Sequence, residues 1–136
     1  MTAKEYLGQV KRIDELIDTK CAEVNRLEET LLKITAATDN EPVKHSQGDR
    51  MADTIAKIVD LQNEIKESVE QMVAVKKEVG NTIDSIQNPD YRLLLRLRYI
   101  QGKPWEEIAY IMNYSYQHVV QYLHPLALKE ISYKIL

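Results

Sequence analysis

The sequence is poor in residues that break or cross-link a chain: it has one cysteine, Cys21, and four glycines and four prolines among 136 residues. One thiol cannot form an intramolecular disulfide, and a cysteine-rich zinc site is excluded with it. At helical spacing between Ile17 and Val24, Cys21 reads as a small core residue. So few turn formers leave little room for the frequent reversals of a β fold, which favours an all-α protein. Long apolar runs are also missing. No segment approaches the roughly 18 uninterrupted apolar residues of a membrane span, and the N-terminus MTAKEYLGQVKRIDELI lacks the apolar block of a signal peptide. A cytoplasmic protein without membrane contact is expected. The sequence offers no Gly-rich phosphate loop, nucleophile–base pair or metal cluster, so no enzymatic activity, no cofactor and no metal are expected.

What is present divides in two. Residues 1–87 carry twelve Lys/Arg against seventeen Asp/Glu, a balance of −5, and residues 88–136 carry six against four, a balance of +2. Trp105 and seven of the eight tyrosines lie after residue 90. In the first part, apolar residues fall at Tyr6, Val10, Ile13, Ile17, Val24, Leu27, Leu31 and Ile34, in steps of three and four with one omission at Lys20/Cys21. That is the a/d seam of a coiled coil. Some 29 residues at about 1.5 Å each make a helix of roughly 43 Å, which needs a partner helix alongside it.

The partner follows a break. Residues 38–50 (TDNEPVKHSQGDR) read as a loop, with Ser46 or Asp49 placed to cap what comes next. A seam resumes at Met51, Ile55, Ile58, Ile65, Val69, Met72, Val79, Ile83 and Ile86, interrupted at Gln62 and Lys76. Two helices of similar length with a short connection fold back as an antiparallel hairpin, here an arm over residues 1–87. Extra apolar positions at Val59, Leu61, Val73 and Val75 widen the second stripe and predict a further covering surface, supplied by a second subunit or by the C-terminal part. A homodimer through the arm is the expectation.

Asn88-Pro89-Asp90 ends the second helix and opens a separate domain over residues 88–136. Its punctuation predicts three helices. Tyr91 to Ile100 is stopped by Gly102 in a left-handed conformation. A short helix starts at Pro104 with Glu106 and Glu107 at its positive end and an apolar face of Trp105, Ile108, Ala109 and Met112. Asn113, which tolerates αL, ends it, and Ser115 caps a third helix through Leu123 and beyond. This is a helix-turn-helix arrangement. Trp105 shares the stripe of Ile108 and Met112 and reads as core. Glu106 and Glu107 diverge by about 100° on a helix, which suits dipole placement and not paired acid–base chemistry. His118 and His124 are six apart, a spacing that does not share one helix face for metal binding.

The segment RYIQGKPWEEIAYIMNYSYQHVVQYLHPLALKEI resembles the C-terminal DNA-binding region of sigma-70 family factors. The resemblance rests on Arg98-Tyr99, the Gly102 turn, Glu106-Glu107-Ile108-Ala109, Ser115, Val119, Leu123-His124 and the closing Leu128-Lys129. The whole chain, including YRLLLRLRYI, is similar to phage and prophage proteins with such a C-terminus, related to late-operon transcription regulators of the ArpU type. The resemblance implies a promoter-binding regulator or sigma-like factor acting on double-stranded DNA, with RNA polymerase as a candidate partner.

By the same analogy the recognition helix, about residues 115–124, enters the major groove. Tyr116, Gln117, His118, Gln121 and Tyr122 then face bases, while Arg96, Arg98, Lys103, Ser115, Lys129 and Lys134 reach phosphates. Sigma-like recognition helices usually carry Arg or Lys where this chain has Tyr122 and Pro125, so its groove face is weakly basic, and Pro125 predicts a kink or break near Tyr122. Two alternatives stay open. One is a small-terminase-like DNA-packaging protein, which also joins a helix-turn-helix to helical oligomerisation; the other is a protein-interaction module with a degenerate helix-turn-helix.

Overall fold

The computed structural model describes the backbone of residues 1–40 and 45–136, with side chains outside 37–47. All regular structure among these residues is helical. Six α-helices follow in order: α1 (Ala3–Leu7), α2 (Gln9–Asn40), α3 (His45–Asp84), α4 (Pro89–Leu95), α5 (Trp105–Met112) and α6 (His124–Ile135). Two π-helical segments, Arg96–Ile100 and His118–Leu123, extend α4 and lead into α6. No described helix is long and apolar enough to cross a membrane.

The long helices α2 and α3 pack against each other as the expected hairpin. They run further than the composition of their connection suggests: α2 continues to Asn40 and α3 begins at His45, so Ser46 and Asp49 lie inside the first turns of α3 and not ahead of it. The centre of the expected loop, residues 41–44, lies outside the described residues.

From Val10 on, the seam of α2 is the one its heptads predict, whereas Tyr6, expected at its start, lies in the separate helix α1. Val10, Val24 and Ile34 are buried, and Ile13, Ile17, Leu27 and Leu31 are half-buried. The apparent omission is filled by Lys20, whose Nζ lies 3.4 Å from Ser68 Oγ and 3.9 Å from a Glu64 carboxylate oxygen. Cys21, expected in the core, is therefore one position off the seam and exposed.

The seam of α3 differs from expectation. The shielded positions are Thr54, Ile58, Leu61, Ile65, Ser68, Met72, Val75 and Val79, a strict alternation of four and three, whereas Ile55, Val59, Val69 and Val73 are exposed. Polar Thr54 and Ser68 can occupy buried positions because each has a partner: the Thr54 hydroxyl donates to Arg50 O at 2.7 Å, and the Ser68 hydroxyl accepts from Lys20. A satisfied hydroxyl costs little on burial, so the seam does not have to follow the most apolar stripe.

The chain divides into two compact units. One is the hairpin over Asp14–Gln71; the other joins Met1–Ile13 to Met72–Leu136. The unit that contains residues 88–136 thus also takes in α1, the start of α2 and the end of α3. Thr2 caps α1 through a reciprocal box with Glu5, and Ala3, Tyr6 and Leu7 enter the same core as Val79, Ile83, Ile86, Leu94, Leu95, Ile108, Val119, Ala127 and Ile131. The Tyr6 and Thr82 hydroxyls lie 2.9 Å apart, and the Arg96 guanidinium forms a two-pronged contact with the Asp84 carboxylate, with Nε at 2.8 Å.

Candidate nucleic-acid interface

The turn chemistry read from the sequence is realised. Gly102 has φ +70°, Lys103 N–H donates to Leu97 O, and α5 starts one residue after Pro104, with Glu106 and Glu107 in its first turn. Asn113 takes φ 59° and ψ 41°, ending α5, and its N–H reaches back to Ala109 and Tyr110 carbonyls. Ser115 Oγ accepts the His118 N–H at 3.1 Å, which starts the next helix. Asn113 is the non-glycine residue with positive φ among those described. A β-branched residue there meets the full left-handed penalty, so Asn113→Val is expected to lower stability by about 1–2 kcal/mol while Asn113→Gly leaves it nearly unchanged, as read by chemical denaturation.

Ahead of Pro125 the helix after Ser115 widens. His118–Leu123 is π-helical, and the His124 N–H reaches five residues back to Val119 O. Pro125 has no N–H to offer the Gln121 carbonyl and its ring crowds that carbonyl, so the turn before it opens instead of closing at i−4. The opening has a geometric result. In an ordinary α-helix a four-residue spacing drifts round the axis by roughly 40° per step, and a π-helical turn, holding more residues, drifts the other way. Val119, Leu123, Ala127 and Ile131 therefore stay on one buried row, and Gln117, Gln121, Pro125, Lys129 and Tyr133 stay on the exposed row opposite.

Of the five residues expected to face bases, Tyr116, Gln117, Gln121 and Tyr122 are exposed and His118 is half-buried. The His118 ring lies between Tyr114 and Tyr122, at centroid distances of 4.8 and 5.0 Å. Tyr114 donates to the Asp90 carboxylate at 2.7 Å, which holds its phenol above the usual range and ties the turn to the start of α4. The result is an aromatic ladder flanking an amide row, with no charged side chain among Tyr114, Tyr116, Gln117, Gln121 and Tyr122.

The residues expected at phosphates are less uniform. Arg96 is engaged by Asp84, and that contact keeps the Asp84 carboxyl below its ordinary range. Arg98 donates to Lys103 O at 3.1 Å and its guanidinium lies 4.5 Å from the Trp105 ring centroid. Lys103 pairs with Glu107 at 3.1 Å, and the Ser115 side chain is spent on its cap. Lys129 and Lys134 are exposed on α6.

Behind the segment His118–Leu123 sits a half-buried aromatic group. Trp105 packs on His124 at 4.5 Å, and the Tyr99 hydroxyl meets His124 Nε2 at 2.7 Å. Burial pushes the Tyr99 phenol up, and burial, helped by the charges of Lys4 and Arg98, lowers His124 to about 4. Both groups are thus neutral at pH 7, an arrangement in which the phenol donates to an unprotonated Nε2. Between about 4 and 6.5 the unfolded chain binds a proton that the folded chain refuses, so stability falls as pH is lowered through that window. His124→Phe should flatten the slope of melting temperature against pH across it, whatever it does to stability at pH 7. An unchanged slope would place the acid sensitivity elsewhere.

These features define an all-helical protein with a helical hairpin and a C-terminal helix–turn–helix unit. The chain belongs to the family described as protein of unknown function (DUF1492), whose model matches residues 33–131. No curated protein and no solved structure matches it.

Proposed function

We propose that this protein is a non-enzymatic, cytoplasmic, DNA-binding transcription regulator of phage or prophage type, which inserts the helix over residues 115–124 into the major groove and works as a homodimer. The observation that carries the reading is the pair of opposite rows on that helix. Val119 and Leu123 are held in the core by α4 and α5, so Gln117 and Gln121 point outward on a rigid support next to Tyr116 and Tyr122. A glutamine amide can pair with adenine N6 and N7 together, and a helix after a tight turn is the element that a major groove admits. Lys129 lies on the same exposed row, and Lys134 lies farther along the helix.

Few cations serve that face, and phosphate neutralisation dominates DNA affinity. A dimer doubles their number, and contact with RNA polymerase would hold the protein on a promoter. The test is a binding titration on promoter fragments at several salt concentrations, with and without RNA polymerase. Binding that weakens with salt is expected, and no salt-sensitive binding in either condition overturns the reading. The mass of the free protein separates regulation from packaging, because a ring of about eight or more subunits points to the latter.

A specific observation favours a second reading. Arg96, Arg98 and Lys103 all have intramolecular partners, and the surface they leave is aromatic and amide-rich, a composition also suited to docking another protein. Stable capture of a protein partner in a DNA-free preparation, lost on Tyr122→Ala, is the result that reading expects.

A further inference from the structure

Helix α3 carries two stripes. The first, Thr54 to Val79, is shielded, from Thr54 to Ser68 in the hairpin and at Val75 and Val79 in the core of the other unit; the second is displaced from it by one residue, hence by about 100° round the helix. It runs Ile55, Val59, Gln62, Lys66, Val69, Val73, again in steps of four and three. Its apolar members are exposed, at 46% for Ile55, 47% for Val59, 40% for Val69 and 62% for Val73. Among its described side chains, helix α2 has no such row: the exposed large apolar residues are Leu16 and Leu32, roughly four turns apart. Two heptad stripes about a right angle apart are what a helix needs when it packs on two neighbours at once.

We infer that this second stripe of α3 is the homodimer interface, formed by two α3 helices running antiparallel about a two-fold axis at Glu64. The occupant follows from the stripe's own order. A two-fold interface must be complementary to itself. Reversed about residue 64, the stripe sets Ile55 against the partner's Val73, Val59 against the partner's Val69, and Gln62 against the partner's Lys66, so that apolar meets apolar and polar meets polar. This is also the a-to-d pairing of antiparallel coiled coils.

The flanking row agrees. Flanking side chains meet along the edge with an offset of two residues from the seam register, so that Asp49 neighbours the partner's Lys77, Asn63 the partner's Asn63 and Ala56 the partner's Glu70, with no like charges meeting. A parallel dimer in register would instead press Lys66 on the partner's Lys66 inside the seam, a repulsion that the antiparallel arrangement avoids. A polar layer flanked by apolar ones fixes the register, because any slip by a heptad buries Gln62 or Lys66 against valine or isoleucine.

The inference gives a face and a direction to the dimer proposed above, and it does not depend on DNA binding: a dimer that binds no DNA leaves it intact. The full chain is expected at twice its 15.8 kDa mass in analytical ultracentrifugation. Val59→Glu with Val69→Glu should raise the dimer dissociation constant at least about tenfold while helical content is unchanged, since both side chains are outside the hairpin core. Leu32→Lys, on α2, should leave it unaltered.

Direction is read by oxidation in a Cys21→Ser background. Mixing a Gln62→Cys protein with a Lys66→Cys protein should give the mixed disulfide in preference to either self-pair. A monomer at all concentrations, a dimer indifferent to the two glutamates, or self-pairs dominating over the mixed disulfide would each overturn the inference.

Discussion

Replacing both Gln117 and Gln121 with alanine should sharply weaken the protein's choice among DNA sequences and leave its fold untouched. Both side chains are exposed and neither takes part in a described hydrogen bond, and alanine is the better helix former, so stability should hold or rise slightly. On DNA the loss is direct. A bidentate amide–adenine contact is worth about 1–3 kcal/mol of discrimination, so the double variant should lose roughly a hundredfold in the ratio of specific to non-specific binding. Binding to arbitrary duplex should change little, because the residues proposed to reach phosphates are others. Competition between a target fragment and random duplex measures the ratio. An unchanged ratio would remove base readout from this helix and shift the balance to protein docking.

Ile108→Ala should be the most damaging single substitution at the site, although it touches nothing outside the protein. Ile108 is fully shielded, on the face of α5 that props the following helix, with Ala109 beside it. Truncation removes the transfer energy of three carbons and leaves a cavity that close-packed neighbours fill only in part, at about 2–5 kcal/mol. Domains of this size have about 5–15 kcal/mol in hand, so a large share of the stability goes. Ile108→Val should cost only about 0.5–1.5 kcal/mol. Urea denaturation of the pair gives the comparison; an alanine variant within about 1 kcal/mol of wild type would mean that α5 does not support the following helix as described.

Much of this architecture was legible from residue order, and the exceptions have physical causes. The turn at Asn113, the Gly102 stop and the Ser115 cap could be read because each is decided by local backbone sterics or a hydrogen bond three residues away. The seam of α2 could be read because its apolar residues form a single stripe. That of α3 could not, since apolar residues form two stripes and the hairpin buries the one containing Thr54 and Ser68, whose hydroxyls find partners.

Long-range pairings were out of reach. Nothing near Arg96 in the chain announces that Asp84 will claim its guanidinium, and that pairing decides whether it is available to a phosphate. The docking of α1 left a faint signal: the Thr2-Ala-Lys-Glu5 box marks a helix start, and Ala3 and Leu7 fall off the seam of the arm. Pro125 did signal an irregularity, which takes the form of a widened, π-helical stretch just before it, and Val119, Leu123, Ala127 and Ile131 are buried along that stretch and the helix that follows.

The claim at the centre is that the exposed row carrying Gln117 and Gln121 lies against a duplex. A photoreactive benzoylphenylalanine in place of Tyr122, 57% exposed beside that row, tests it by proximity alone. Illumination with promoter DNA should yield an adduct on major-groove base positions, reduced by added salt. Adducts confined to protein, with DNA unmodified at every salt concentration, would contradict it.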